Sequence, residues 1–297
     1  MIWIVGNKGM LGSELARTFE KRKTEFIGSD REVDFLDYSA ILQFSFANNI
    51  DTIINCAAYT AVDKAEDEPE LCRRLNIDGP VNLARLAQEK GYKFIHISTD
   101  YVFSGNESTP YKENDPVDPQ GVYGRTKAEG ESGVLKVCPK AIIVRTAWLY
   151  GEFGSNFVYT MLRLMRNRTE IKVVGDQIGS PTWAKDLANA IYEIINDNTG
   201  KSGIYHYTNS GCISWFDFAI AIFQEGTRLG LLDTSCSIKN ITTAEYTTKA
   251  KRPFYSVLSK DKIEKDFSVV ILDWRLSLER FLNDIKVNID ILSFRIH

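Results

Sequence analysis

At 297 residues and a formal charge of −3, the chain has room for one large α/β domain or two lobes, and it lacks the basic excess that a general nucleic-acid binder needs. Its 44% hydrophobic and 25% charged residues suit a globular protein with a sizeable core, and no apolar run approaches the roughly 18 residues of a membrane span. The five cysteines (Cys56, Cys72, Cys138, Cys212, Cys236) are scattered with no CxxC pair, and the histidines are only His96, His206 and His297, which argues against a disulfide framework and a zinc site and for reduced thiols in the cytoplasm.

The opening MIWIVGNKG has no basic stretch before its apolar residues and breaks at once into glycine. This predicts a first strand at Ile2–Val5 rather than a signal peptide. Met10–Lys21 follows with Leu11, Leu15 and Phe19 at helical spacing. Further strands are expected at Glu25–Gly28, Thr52–Asn55, Lys93–Ile97 and Ala141–Arg145, alternating with helices at Tyr38–Asn48, Pro69–Lys90 and Gly124–Lys136. Such alternation implies right-handed crossovers and an α/β fold, a Rossmann-type doubly wound parallel sheet. After Trp148 the regularity weakens. Helices are expected at Asn156–Arg168, Lys185–Asn196, Trp215–Leu229 and about Leu276 to Ile285, a strand at Ile204–Thr208, and a loop over Lys249–Ser259. The division is a dinucleotide-binding domain over residues 1–148 and a smaller C-terminal α/β substrate lobe over 149–297, with some later segments free to return to the main sheet.

Four motifs carry chemistry. Gly6, Gly9, Met10, Leu11 and Gly12 lie in GNKGMLG at the first strand–helix junction, where glycines permit a tight turn and let a pyrophosphate approach the helix N-terminus. The spacing is GxxGxxG, and no GK[ST] follows, so it is not a Walker loop. Asp30, just past the second strand, suits the adenosine ribose hydroxyls, while neighbouring Arg31 suits a 2′-phosphate; NADH and NADPH both stay open. Asp34 and Phe35 can flank the adenine, or serve as a turn acid and a core aromatic. Thr99, in STDY at the end of the fourth strand, can hydrogen-bond a reacting carbonyl oxygen. Tyr123 and Lys127, four apart in YGRTK, share a helix face, where an ammonium beside a phenol lowers the phenol pKa and makes it a proton donor or acceptor near neutrality.

Other residues read as structure. His96 suits a core or strand-edge position, Cys56 a packed thiol, and Asp63, Lys64 and Glu66 a solvated helix start. Trp215, Phe216 and Phe218 read as core, and Lys249, Lys251 and Arg252 as a solvated turn or a local anion contact.

These residues, with the runs NCAAYTAVDKAEDEPE, HISTDYVFSG, VYGRTKAEGE, RTAWLYG, DQIGSPT and RPFYSVLS, make the chain resemble the extended short-chain dehydrogenase/reductases over nearly its whole length, and within them the dTDP-4-dehydrorhamnose reductases. The resemblance implies that Gly9, Met10 and Leu11 underlie the cofactor pyrophosphate, that Asp30, Asp34 and Phe35 surround the adenosine, and that Ala58, Tyr59 and Thr60 line the cofactor's middle, with Ile97 packed near it. It makes Thr99, Tyr123 and Lys127 the catalytic set and places Thr99, Asp100 and Trp148 against the sugar. Glu14 matches a position that holds Mg²⁺ at a dimer contact in some members; no metal is assigned from it.

The implied reaction is reduction of the C4 keto group of a dTDP-linked 4-keto-6-deoxy sugar by NADPH or NADH, by a cytoplasmic monomer or homodimer with no nucleic-acid or membrane partner. Lys127 would hold the nicotinamide ribose and tune Tyr123. Three alternatives stay open: another nucleotide-sugar 4-ketoreductase, an epimerase, and a non-catalytic binding protein resembling the regulatory β subunit of methionine adenosyltransferase. Sugar-nucleotide dehydratases carry Thr-Asp-Glu where this chain has Thr99, Asp100 and Tyr101, so the eliminating carboxylate is missing.

Overall fold

The computed structural model describes residues 1–233 and 235–287; His297 and the last stretch of the expected second lobe fall outside them. The elements, in chain order, are β1 (Ile2–Val5), α1 (Met10–Lys21), β2 (Phe26–Ser29), α2 (Tyr38–Ala47), β3 (Thr52–Asn55), α3 (Val62–Ala65), α4 (Pro69–Arg73), α5 (Gly79–Lys90), β4 (Lys93–Thr99), α6 (Val122–Val137) and β5 (Ile142–Thr146). The second half contributes β6 (Leu149–Tyr150), α7 (Phe157–Asn167), β7 (Glu170–Val174), β8 (Ile178–Gly179), β9 (Thr182–Trp183), α8 (Ala184–Asn196), β10 (Gly203–His206), β11 (Ile213–Ser214), α9 (Trp215–Arg228), β12 (Ser237–Ile241), α10 (Asp261–Phe267) and α11 (Trp274–Val287).

Six strands form one parallel sheet in the order β10-β5-β4-β3-β1-β2. β1 and β3 are buried at every position, which is why both read as unbroken apolar runs. The strand order reverses beside β1: β2 lies on one side and β3 on the other. The crevice at the carboxyl ends of these two strands is the place where ligands bind in open α/β sheets.

α1 buries Leu11, Leu15 and Phe19 against the sheet, each worth about 1.5–3 kcal/mol, and packs on α8 from the second half. β10, also from the second half, closes the sheet edge beside β5. The expected long helix over Pro69–Lys90 is continuous but contains a π-helical turn at Arg74–Asp78. Asn76 within it is fully buried; its side chain accepts from the Tyr59 backbone amide at 2.8 Å and donates to Thr126 on α6 at 3.1 Å. The remaining second-half elements enclose their own core of Tyr150, Trp183, Phe218, Trp274 and Phe281. The 249–259 segment is a loop that touches both halves, bridging Tyr111 of the first through Leu258 and Ile178 of the second through Tyr255. No described helix is long and apolar enough to cross a membrane.

Candidate active site

The glycine turn after β1 is built for close approach. Gly6 has φ +79, a region that side chains disfavour, and a Cβ on Gly12 would lie 2.2 Å from the Gly6 carbonyl oxygen. The helix cap is Gly9, with no side chain bonded to the first-turn amides, and no acid stands in the first turn of α1. Free N–H groups and the positive end of the helix dipole therefore face the crevice, a suitable seat for a diphosphate.

A cavity of about 660 Å³ opens from this turn and runs along the carboxyl edge of the sheet. Gly6, Gly9, Met10, Leu11 and Gly12 form one wall, Asp30, Arg31 and Phe35 one end, and Ala58, Thr60 and Ile97 the middle. Thr99, Asp100, Tyr123, Lys127 and Trp148 gather at the other end. This shape and donor set fit a dinucleotide with a second ligand beside it.

Two expected residues fall outside this wall. Asp34 accepts from the Leu36 amide at 3.0 Å, the turn-acid alternative. Tyr59 is buried, its hydroxyl donating to Glu68 at 2.7 Å and its backbone amide donating to the Asn76 side chain at 2.8 Å. Cys56 lines the cavity, and burial pushes its thiol up to about 12, which disfavours the thiolate a nucleophile needs.

The reactive end is assembled from β4 and α6. The Thr99 hydroxyl accepts from the Tyr101 amide at 3.2 Å and donates to Asp100 Oδ1 at 3.0 Å. A Cβ on Gly124 would lie 2.1 Å from the Tyr101 carbonyl oxygen, so the small residue after Tyr123 lets α6 close onto this turn. Tyr101 meets Tyr123 edge to face at 5.5 Å. Asp63 and Glu66, expected as a solvated helix start, are joints of the site. Glu66 accepts from the Val122 amide at 2.9 Å and so caps α6 beside Tyr123. Asp63 accepts from Arg252 at 2.6 Å, and Arg252 also donates to the Tyr101 hydroxyl at 2.9 Å. Lys249 pairs with Asp67, so Lys249 and Arg252 of this basic cluster make local anion contacts.

The electrostatics correct one expectation. The Tyr123 phenol is not acidified; burial raises its pKa well above the ordinary value, opposed in part by the Thr99 hydroxyl and reinforced by the Asp100 charge. Lys127 shares the helix face, but its ammonium donates to the Ile97 carbonyl at 2.6 Å and faces His96 Nε2 at 3.4 Å. Burial brings Lys127 down to about 8. A phenol held neutral is the state that protonates a developing alkoxide, so the correction suits reduction.

Burial also lifts the Asp100 carboxyl to about 6, against the Thr99 and Ser256 hydroxyls that favour its charge. Folding thus binds this proton more tightly than the unfolded chain does. The group's contribution to stability is full below about pH 4 and lost as pH rises to about 6. Asp100→Asn removes that loss; chemical denaturation at pH 7 should show a gain of about 3 kcal/mol that shrinks towards zero near pH 4.

Trp148 adopts φ +47 and stacks on Trp215 at 3.5 Å and 7°. Trp215, expected as plain core, thus backs a cavity residue from the second half. Gly179 permits the arrangement, since a Cβ there would lie 2.5 Å from the Trp148 ring. Glu14 is buried with Oε2 unpartnered. No group of three or more His, Cys, Asp or Glu side chains able to hold a metal occurs among the described residues.

Comparison with known proteins agrees with the geometry. The family model described as the RmlD substrate binding domain matches residues 1–287. A dTDP-4-dehydrorhamnose reductase of Aggregatibacter actinomycetemcomitans is 43% identical over 284 residues, covering 93% of this chain and 96% of that protein. The crystal structure of a dTDP-4-dehydrorhamnose reductase from Clostridium acetobutylicum superposes with a TM-score of 0.89 at 40% identity, over 96% of this chain and 99% of that one. That of the Bacillus anthracis reductase in complex with NADP gives 0.89 at 37% identity, over 95% of this chain and 98% of that one. A glycine turn at the switch point, a tyrosine and lysine one helical turn apart at the carboxyl edge of the sheet, and matches over almost the full length all lead to one assignment: the chain belongs to the dTDP-4-dehydrorhamnose reductase family of extended short-chain dehydrogenase/reductases.

Proposed function

We propose that this protein reduces the C4 keto group of dTDP-4-dehydrorhamnose to give dTDP-L-rhamnose, with NADPH or NADH. The observation that carries the reading is that Thr99, Tyr123 and Lys127 line one cavity together with a diphosphate-ready glycine turn. The nicotinamide cofactor, when bound, supplies the hydride to the sugar carbon. Tyr123 gives its proton to the carbonyl oxygen as charge develops there. Thr99 donates a hydrogen bond to the same oxygen, an oxyanion-type contribution. Lys127 holds the ribose next to the ring, its position fixed by the Ile97 carbonyl. Asp100 and Trp148 orient the sugar, and Met10 and Leu11 hold the diphosphate. The chain works as a monomer or homodimer in the cytoplasm; its cysteines are all unpaired, consistent with a reducing compartment.

Dehydration is disfavoured, because Tyr101 stands after Asp100 and its hydroxyl is engaged by Arg252. The test is incubation with the dTDP-4-keto-6-deoxy sugar and NADPH, followed by product NMR. Stoichiometric NADPH oxidation with a rhamno product supports the reading; no oxidation, or a product with inverted C4, refutes it.

The adenosine end makes a separate prediction. Arg31 is exposed and lines the cavity beside Asp30. Arg31→Ala should weaken NADPH about tenfold (~1.4 kcal/mol) in fluorescence titration while leaving NADH within twofold. Equal losses for both would remove Arg31 from 2′-phosphate recognition.

A further inference from the structure

Two unfavourable geometries meet at Trp148, on the cavity wall where the two halves of the chain join. Its φ of +47 lies in the left-handed region, which bulky side chains rarely adopt. Its indole lies almost directly over that of Trp215, with centroids 3.5 Å apart and planes 7° from parallel, where free aromatic pairs prefer an offset or an edge. Such departures persist only where the surroundings over-determine them, and they gather at ligand-holding positions.

The residues that impose both come from the second half. Thr182 of β9 holds the backbone around the turned residue. Its amide donates to the Trp148 carbonyl at 3.1 Å, and its hydroxyl donates to the Ala147 carbonyl at 2.6 Å. Gly179 of β8 leaves the indole its space, since a Cβ there would lie 2.5 Å from the ring. β8 pairs antiparallel with β11, Ile213 opposite Gly179, and Trp215 follows β11 directly. Ser214 and Asp217 close a reciprocal cap at that point, each backbone amide donating to the other's side chain at 3.0 Å, which fixes the start of α9. Phe157 of α7 packs against Trp215 at 4.5 Å. Trp148 lines the cavity with Thr99, Tyr123 and Lys127, whereas Trp215 stands behind it.

We propose that Trp215 is a positioning residue for the reduction: its stack holds the Trp148 indole, against the backbone's own preference, as a fixed wall that sets the pose of the sugar. The inference rests on the reductase reading above and on the sugar contact that reading gives to Trp148. Trp215 touches neither sugar nor cofactor and exchanges no proton. A wall free to swing lets the keto carbon drift from the hydride donor, and a misplacement of about 1 Å can slow such a transfer by on the order of 10²-fold.

The test is steady-state kinetics of the full-length enzyme with NADPH and the dTDP-4-keto-6-deoxy sugar. It compares Trp215→Leu, Trp215→Tyr, Gly179→Ala and the double variant Trp215→Leu with Gly179→Ala. Trp215→Leu should lower kcat/KM for the sugar at least about tenfold, while NADPH affinity by fluorescence titration stays within about twofold. Trp215→Tyr keeps a flat ring behind Trp148 and should recover most of that loss. Gly179→Ala displaces the same indole and leaves Trp215 unaltered, so it should show a loss of similar size. The double variant should lose little more than either single one, because both act through one ring. A Trp215→Leu or Gly179→Ala enzyme that keeps kcat/KM within about twofold overturns the proposal, and so do additive losses in the double variant. Parallel loss of NADPH affinity and turnover in both Trp215→Leu and Trp215→Tyr also overturns it, by making Trp215 plain core. Should Trp215→Leu fail to fold, Gly179→Ala decides alone. An unaltered enzyme that oxidises no NADPH with the keto sugar overturns the reductase reading, and this proposal with it; every other failure requires a working enzyme, so the two are distinct.

Discussion

Replacing Tyr123 with Phe should lower kcat for keto-sugar reduction by about 10²–10⁴-fold, the usual worth of a positioned proton donor. The ring stays in place, edge to face with Tyr101 at 5.5 Å, so the cavity keeps its shape. Only the hydroxyl is lost. NADPH affinity should therefore hold within about twofold, because the glycine turn, Asp30 and Arg31 stand at the other end of the cavity. Stopped-flow turnover and equilibrium cofactor titration separate these two effects. A Tyr123→Phe variant that retains most of its turnover would transfer the proton-donor role to Thr99 or Asp100. A variant that loses cofactor and turnover together would place the phenol in binding rather than in proton transfer.

Glu131→Ala should destabilise the fold by about 3–5 kcal/mol, read as the midpoint shift in urea. Glu131 lies on α6, two turns beyond Tyr123, and meets Arg145 of β5 in a bidentate pair at 2.6 and 2.9 Å. Both side chains are at most 4% exposed. Arg145 also lies under the Phe103 ring at 4.9 Å and beside His206 of β10, which cannot share its charge, because burial and the guanidinium itself hold that imidazole neutral. Truncation thus strands a buried guanidinium. The double variant Glu131→Met with Arg145→Met removes both charges and should recover most of the loss, since an apolar pair of similar volume restores packing without a stranded charge. If Glu131→Ala costs under about 1 kcal/mol, the pair is not what anchors α6 to the sheet.

Much of this architecture is legible in the sequence because the strands are buried on both faces. IWIV and TIIN can be little else when glycine or alanine turns and amphipathic helices follow. The glycine turn, Thr99 and the Tyr123–Lys127 spacing are likewise local patterns, and the fold brings them to one cavity. What local pattern cannot reach is direction set by distant partners. Tyr59 lies out of the wall with its hydroxyl on Glu68, while Asn76, in a π-helical turn with no sequence signature, holds its backbone. The Lys127 ammonium chooses the Ile97 carbonyl over the phenol, a choice invisible in the spacing of YGRTK. Glu66 and Asp63 resemble any solvated helix start until Val122 and Arg252 arrive from far along the chain.

The second half is harder to read for a geometric reason. β6, β8, β9 and β11 are two residues long, too short for alternation to register. β10 is an ordinary short strand whose partner, β5, lies some 60 residues earlier, so only the assembled sheet reveals its place at the edge. Trp215 packs against the second-half core beside Phe157 at 4.5 Å and Phe218 at 6.4 Å, as its spacing suggests; its added stacking on Trp148 is set by a residue far along the chain.

The most direct measurement uses NADPH deuterated at the transferable nicotinamide position, with dTDP-4-dehydrorhamnose as acceptor. The account predicts a rhamnosyl product carrying deuterium at C4, formed by the unaltered enzyme and nearly lost in the Tyr123→Phe variant. Deuterium at any other carbon, or full labelling by that variant, would contradict it.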